Sequence, residues 1–130
     1  MMKENFLKIS HEWFKQADYD IKTAEAMFVA KKYIYTVFMC HLSIEKALKG
    51  LYSKKLELYP PKSHDLIYLI SKLGIKPEEN IGDFIDELND QGVLTRYPNE
   101  LSSLIKAYNK EKASRILLNT KEVLKWIKKI

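Results

Sequence analysis

The stretch YIYTVFMCHLSIEKALKGLYSKKL, from Tyr33 to Leu56, decides the fold of this 130-residue chain. At 100° per residue its apolar side chains fall on one broad arc, which predicts a central amphipathic helix. The arc consists of Tyr33, Val37, Cys40, Ile44, Ala47, Leu48 and Leu51. His41 projects from within the arc and Glu45 lies at its edge. Lys46 and Lys49 are expected to point outward. A polar pair in an apolar seam costs desolvation unless other parts of the chain supply partners.

The composition favours a helical protein. Hydrophobic residues make up 46% of the chain, and four glycines and four prolines leave long uninterrupted segments, which suit helices better than a many-turned β fold. We predict a single all-α domain over residues 1–130, an antiparallel up-and-down bundle of about five helices. One cysteine forms no internal disulfide, and no apolar run approaches a membrane span or resembles a secretory signal. A cytoplasmic protein without membrane association is expected.

The first three helices are bounded by capping and breaking residues. Ser10 is expected to cap a first helix over about 10–30, in which Asp20 projects inward from the apolar stripe. Pro60-Pro61 ends the second helix, about 32–56. Ser63 is expected to cap a third helix, and Gly74 is placed to end it.

The second half of the chain holds a loop between two helices. A fourth helix is predicted from Pro77 to between Asn89 and Gly92. The stretch 93–99, VLTRYPN, has no helical period and is predicted to be a loop that faces the helices. Residues 101–108 are ambiguous, and a last long helix begins near Lys110.

Four motifs, taken in order, resemble the HEPN domain family. They are Trp13-x3-Ala17-x2-Asp20-Ile21-x2-Ala24, Cys40-His41-x3-Glu45-Lys46-Ala47-Leu48-Lys49, His64-Asp65-Leu66-x2-Leu69 and Arg96-Tyr97-Pro98. The resemblance implies an antiparallel helical bundle that commonly dimerises, is often encoded beside a minimal nucleotidyltransferase, and in several branches acts as a toxin or RNase. In the RNase branches a His follows the Arg a few residues later. Arg96 is followed by Tyr-Pro-Asn-Glu-Leu-Ser-Ser, without a His, so the resemblance points to the non-catalytic, nucleotidyltransferase-associated branch.

The candidate site combines the loop with the inward polar residues. Two carboxylates near an apolar arc need a cation. We therefore predict that Arg96 and Tyr97 approach the inward residues and line one shallow groove. Those inward residues are Asp20, His41 and Glu45. They form either a structural network that fixes helix register or a ligand-binding cluster.

Lys49 and His64 are secondary candidates for the same site. At the start of the third helix, His64 is more typical of a capping or packing residue than of a catalytic base.

Binding is favoured over catalysis. No metal and no cofactor are predicted, because His41 and Glu45 lack the companion ligands of known metal motifs. Cys40 lies on the apolar arc, where a thiol is usually inert. We favour a homodimeric module that binds nucleotide or RNA and partners a minimal nucleotidyltransferase in a toxin–antitoxin-like pair. A net charge of +5 is compatible with phosphate partners. The alternative is a metal-independent endoribonuclease that uses Arg96 with His41 or His64 in place of the motif His.

Overall fold

The computed structural model describes residues 5–94 and 101–130, and within these ranges it contains six α-helices and no strand. The helices are α1 (Phe6–Val29), α2 (Tyr33–Leu56), α3 (Leu66–Leu73), α4 (Glu79–Leu94), α5 (Leu101–Ala107) and α6 (Lys110–Lys128). The all-α prediction is confirmed, and the ambiguous stretch 101–108 supplies the short helix α5. None of the helices in the described ranges is both long and apolar enough to cross a membrane.

α1 and α2 pack as an antiparallel pair at very short distance. Ser10 Oγ donates a hydrogen bond to the carbonyl of Gly50 at 2.7 Å, and Ser43 Oγ donates one to the carbonyl of Ala17 at 2.8 Å. As α1 advances from Ser10 to Ala17, its partners on α2 run backward from Gly50 to Ser43, so the two helices are antiparallel. A Cβ at Gly50 would lie 3.0 Å from the ring of Phe14 and 3.2 Å from the carbonyl oxygen of Ser10, so a side chain here would push the two helices or the Phe14 ring apart.

α6 lies against α1 and runs antiparallel to it. Lys128 Nζ is 2.6 Å from Asp18 Oδ1, and Lys121 Nζ is 3.5 Å from Glu25 Oε1. These pairs place the C-terminal end of α6 beside the middle of α1, and the middle of α6 beside the C-terminal end of α1. α6 therefore runs in the same direction as α2, as an up-and-down bundle requires.

α2 is the centre of the bundle. It contacts each of the other five helices, and most of its side chains from Thr36 to Ser53 are buried. The sequence predicts an amphipathic helix with one solvent-exposed face, but in the structure other helices cover that face too. A helix surrounded on all sides buries its polar residues as well as its apolar ones, and these need partners. Ile44 and Leu48 are fully buried, whereas Trp13 on α1 is only half-buried.

The helix caps differ from those predicted. Asn5, not Ser10, caps α1 by accepting a hydrogen bond from the Lys8 amide at 3.1 Å. Ser10 lies inside α1 and uses its hydroxyl against α2 instead. Gly74, at φ 68°, ends α3 as expected.

Candidate functional site

Glu45 on α2 is the centre of a polar group, here named the Glu45 cluster, which consists of His41, Glu45 and Lys49 of α2 and of His64 from the segment after α2. Lys49 Nζ donates to Glu45 Oε2 at 3.2 Å. His64 Nδ1 lies 3.0 Å from Oε1 and 2.9 Å from Oε2 of the same carboxylate. His41 Nδ1 is 3.8 Å from Oε1, within ion-pair range but too far for a hydrogen bond. The carboxylate thus lies among three nitrogen-bearing side chains.

Helical spacing explains three members of the cluster. His41, Glu45 and Lys49 follow one another at intervals of four residues, so their side chains line one face of α2. The Glu45 to Lys49 order is also the favourable one for an ion pair on a helix.

His64 reaches Glu45 from the segment between α2 and α3. Pro60-Pro61 keeps this segment out of α2, and Asp65 anchors its far end as the N-cap of α3. Asp65 Oδ1 accepts hydrogen bonds from the amides of Ile67 and Tyr68 at 3.0 and 3.2 Å. The chain is thereby held where the His64 ring meets the carboxylate.

The cluster is buried at one end and open at the other. The side chain of Glu45 is 4% exposed and Lys49 is buried beside it, whereas the side chain of His64 is 64% exposed. A carboxylate only accepts hydrogen bonds, so Nδ1 of His64 carries the hydrogen in this contact. The far edge of the ring, which holds Nε2, is the part left for solvent or a ligand.

Trp13 on α1 covers the Lys49 ammonium group. Lys49 Nζ lies 5.5 Å from the centre of the Trp13 ring, in the range of a cation–π contact. A buried ammonium group is costly to desolvate, and here the Glu45 carboxylate and the indole face both compensate it.

Asp20 belongs to a separate ion pair. It is buried on α1, as predicted, and Lys46 Nζ approaches its Oδ2 at 2.9 Å. Oδ2 accepts no hydrogen bond in the geometric sense, so this contact is chiefly electrostatic. The structure brings His41 within 3.8 Å of Glu45 and gives Asp20 its own cation.

The predictions for the two lysines and for Ser63 need correction. Lys49 does not point outward, because Trp13 and the Glu45 carboxylate enclose it, and Lys46 is half-buried against Asp20. His64 lies in the cap region of α3, directly before the N-cap Asp65, and Ser63 does not cap the helix.

The loop predicted to complete the site is only partly described. Val93 and Leu94 belong to α4, so the prediction that this helix ends between Asn89 and Gly92 is wrong. Arg96 and Tyr97 lie outside the described residues. The argument that called for Arg96 was the need of two carboxylates for a cation, and Lys46 and Lys49 meet that need.

Sequence reasoning missed Lys46 and Trp13 as members of these contacts. The four-residue spacing of Glu45 and Lys49 was a usable signal for their pairing. Nothing in the sequence shows that Trp13 lies over Lys49, because that contact depends on how α1 crosses α2.

Cys40 offers no nucleophile at neutral pH. Burial raises the pKa of its thiol to about 12, so the reactive thiolate is scarce. In residues 5–94 and 101–130 no group of three or more His, Cys, Asp or Glu side chains is arranged to hold a metal ion.

Sequence and structure comparisons agree with this architecture. The family model of the HEPN domain matches residues 10–130, nearly the whole chain. The chain belongs to the HEPN domain family. Comparison with curated protein sequences finds no match.

Two crystal structures resemble this HEPN domain. TT1696 from Thermus thermophilus superposes with a TM-score of 0.79 at 18% identity, over 92% of this chain and 96% of that chain. ST0689, described as an archaeal HEPN homologue, gives a TM-score of 0.75 at 23% identity, over 92% and 94%. At these identities the likeness shows a shared fold.

Proposed function

We propose that this HEPN domain is a binding module for the phosphate groups of nucleotides or RNA, and that the Glu45 cluster is its binding site. The observation that carries the proposal is the contact between the buried Glu45 carboxylate and the exposed His64 ring. The carboxylate fixes the ring and its proton on Nδ1, so the opposite edge is presented in one orientation. A pre-oriented imidazole can donate to a phosphate oxygen from Nε2 when it is protonated.

The cost of the cluster also supports a role beyond stability. Replacing a buried ion pair by well-packed apolar residues is often neutral or stabilising. A bundle that needed only a rigid seam would do as well with leucines at 45 and 49. Trp13 is partly exposed beside the cluster, and indole rings stack on nucleobases. Phosphate and base could thus be held within one surface region.

The partner belongs to the same proposal. HEPN membership supports pairing with a minimal nucleotidyltransferase in a cytoplasmic toxin–antitoxin-like system, in which this chain is the binding component. Co-expression with a minimal nucleotidyltransferase from the same genome, followed by affinity purification through this chain alone, tests the pairing. Recovery of both proteins in fixed proportion is expected, and recovery of this chain alone would refute it.

Homodimer formation is proposed from the apolar surface at one end of the bundle. The rings of Phe6 and Tyr59 meet edge to face with centroids 5.4 Å apart, and Leu7 and Leu58 nearby in the chain are more than half exposed. Such surface is typical of protein contacts. Sedimentation should show a dimer that Leu58→Asp converts to monomer.

Binding of nucleotide is tested by a titration with one matched control. Labelled single-stranded RNA and ATP are titrated against the wild type, His64→Ala and His11→Ala. His11 is an exposed histidine of α1 outside the cluster. His64→Ala should weaken binding about tenfold or more, since a hydrogen bond to a charged group is lost, while His11→Ala binds like the wild type. Equal affinities of all three proteins would contradict the proposal.

The second candidate function is metal-independent RNA cleavage, and the same contact favours it. A carboxylate that holds Nδ1 leaves Nε2 of His64 able to take the proton of a 2′-hydroxyl group. The 2′-oxygen would then attack the phosphorus, and the 5′-oxygen would leave to give a 2′,3′-cyclic phosphate. The missing Arg-to-His spacing makes binding the preferred function. RNA cleavage in the presence of a chelator, lost in His64→Ala, would reverse that preference.

A further inference from the structure

The apolar face of α5 has no covering element within the described residues. No residue of α5 is buried, and Leu101 and Ile105 are 65% and 56% exposed. These two residues lie four apart, so they share one face of the helix. Leu104 and Tyr108, on the adjoining side, pack against the core. α5 is thus attached by one edge and presents two large aliphatic side chains to the outside.

The exposed face of α5 forms one wall of a cavity of about 330 Å³, here named the Ile105 groove. Its other wall comes from the start of α2 and the residues just before it. The lining residues are Lys31, Lys32, Tyr33, Ile34, Tyr35, Leu101, Ile105 and Tyr108. The charged members of this lining are both lysines, and both are exposed. The groove therefore combines an apolar floor with a positive rim.

One of the rim lysines occupies a position that glycine normally fills. Lys31 has φ 62°, the left-handed region, and follows the last turn of α1. The Lys31 amide bonds to Phe28 O at 3.0 Å and the Lys32 amide to Met27 O at 2.8 Å, which is the Schellman pattern of a helix end. A lysine here is less stable than glycine would be. Lys31 therefore places a cation at the groove although the backbone conformation there favours glycine.

We propose that the Ile105 groove docks an acidic amphipathic segment of a partner protein, with aliphatic or aromatic anchors on Leu101 and Ile105 and carboxylates facing Lys31 and Lys32. Charge complementarity selects this occupant. A second copy placed symmetrically would bring the lysines of both chains into one interface, where like charges repel. RNA would find cations and tyrosine rings in this lining, but the exposed Leu101 and Ile105 side chains match the apolar anchors of a peptide and not a phosphate backbone. The proposal stands apart from the function assigned to the Glu45 cluster.

The experiment starts with a displayed library of amphipathic helical peptides. The library is selected on the wild-type protein after removal of peptides that bind Ile105→Asp. Selected peptides should carry Asp or Glu next to Leu, Ile or Phe anchors. One of them is synthesised and its affinity is measured by fluorescence anisotropy at several salt concentrations. Its binding should weaken as the salt concentration rises.

Lys31→Gly separates docking from folding. Glycine removes the rim charge and relieves the left-handed backbone, so Tm should stay the same or rise while the peptide binds about two- to fivefold more weakly. Adding Lys32→Gln should bring the loss to about tenfold. Leu118→Asp is the control, because Leu118 is an exposed leucine of α6 that does not line the groove. It should bind the peptide like the wild type.

The following results would overturn the proposal. They are a selection that yields no peptide, selected peptides that are neutral or basic, an affinity unchanged by removal of both lysines, and a wild-type dimer that Ile105→Asp converts to monomer. The last result would assign the groove to a second copy of the chain. An oligouridine probe that competes with the peptide would assign it to RNA.

Discussion

Two carboxylates with nearby cations, Glu45 and Glu87, differ in what surrounds them. Glu87 on α4 is 34% exposed and receives two hydrogen bonds from Arg115 on α6, at 3.0 and 2.6 Å. Glu45 has the longer contact to its lysine, 3.2 Å, but is almost completely buried. Water can replace Arg115 at Glu87, whereas water has little access to Glu45. Burial, and not distance, therefore ranks the two pairs by their energetic effect.

The largest effect is expected from breaking the buried pair. Glu45→Ala leaves the Lys49 ammonium group buried without its carboxylate, which should lower the free energy of unfolding by about 3–5 kcal/mol. Chemical denaturation monitored by circular dichroism measures this. The matched control is Glu87→Ala, which makes the same truncation at the exposed pair and should cost about 1 kcal/mol or less. Equal losses of unfolding free energy in the two variants would show that burial does not distinguish the two ion pairs.

A double replacement sharpens the comparison. Glu45→Leu alone should be strongly destabilising, but Glu45→Leu with Lys49→Leu removes both buried charges and should recover about 1–3 kcal/mol of the loss. The same denaturation experiment gives the coupling. A double variant no more stable than Glu45→Leu would show that leaving the Lys49 ammonium group without its carboxylate does not lower the free energy of unfolding.

These predictions rest on contacts that the sequence reveals only in part. Helical period and the small number of breakers were enough for the all-α bundle and for most helix bounds, because both are local properties of the chain. The burial of Lys49 was not predictable in this way. A helical wheel places it off the apolar arc, and only the crossing with α1 brings Trp13 over it.

The contact of His64 with Glu45 could not be predicted from local sequence either. The neighbours of His64 in sequence indicate a helix start, and Asp65 does cap α3. The contact of His64 with Glu45 depends on the path of the chain from the end of α2 back to its middle, which no local rule gives. Arg96 was assigned by charge balance and lies outside the described residues, while Lys46 and Lys49, which that argument counted as solvated, pair with Asp20 and Glu45.

A smaller effect is expected at the exposed pair. Arg115→Ala should lower the free energy of unfolding by about 0.2–1 kcal/mol, because solvent screens the attraction between Arg115 and Glu87 and ordering both side chains costs entropy. Raising the salt concentration should reduce this difference further. A loss as large as that of Glu45→Ala would show that exposure does not weaken the pair.

The smallest effect is a pH dependence. The hydrogen bonds from Arg115 hold the pKa of Glu87 below its ordinary value of 4.5. A carboxyl group with a lowered pKa in the folded state stabilises the fold above its unfolded pKa, and this stabilisation is lost as the pH falls through the folded pKa. The difference in unfolding free energy between wild type and Arg115→Ala should therefore be constant near neutral pH and shrink below about pH 4.5. Denaturation curves from pH 7 to 3 measure it, and a difference that grows in acid would contradict the assignment.

The two serine-to-carbonyl hydrogen bonds between α1 and α2 have a mechanical consequence. Sliding one helix along the other by a single turn would break both bonds and drive the Phe14 ring against a different residue than Gly50. Trp13, Glu45 and Lys49 therefore sit on a rigid frame whose internal distances change little when a molecule arrives. His64 is carried by non-helical chain between α2 and α3, and the Asp65 cap and the Glu45 carboxylate hold its ring against that frame. The arrangement of the site is therefore set before a molecule arrives.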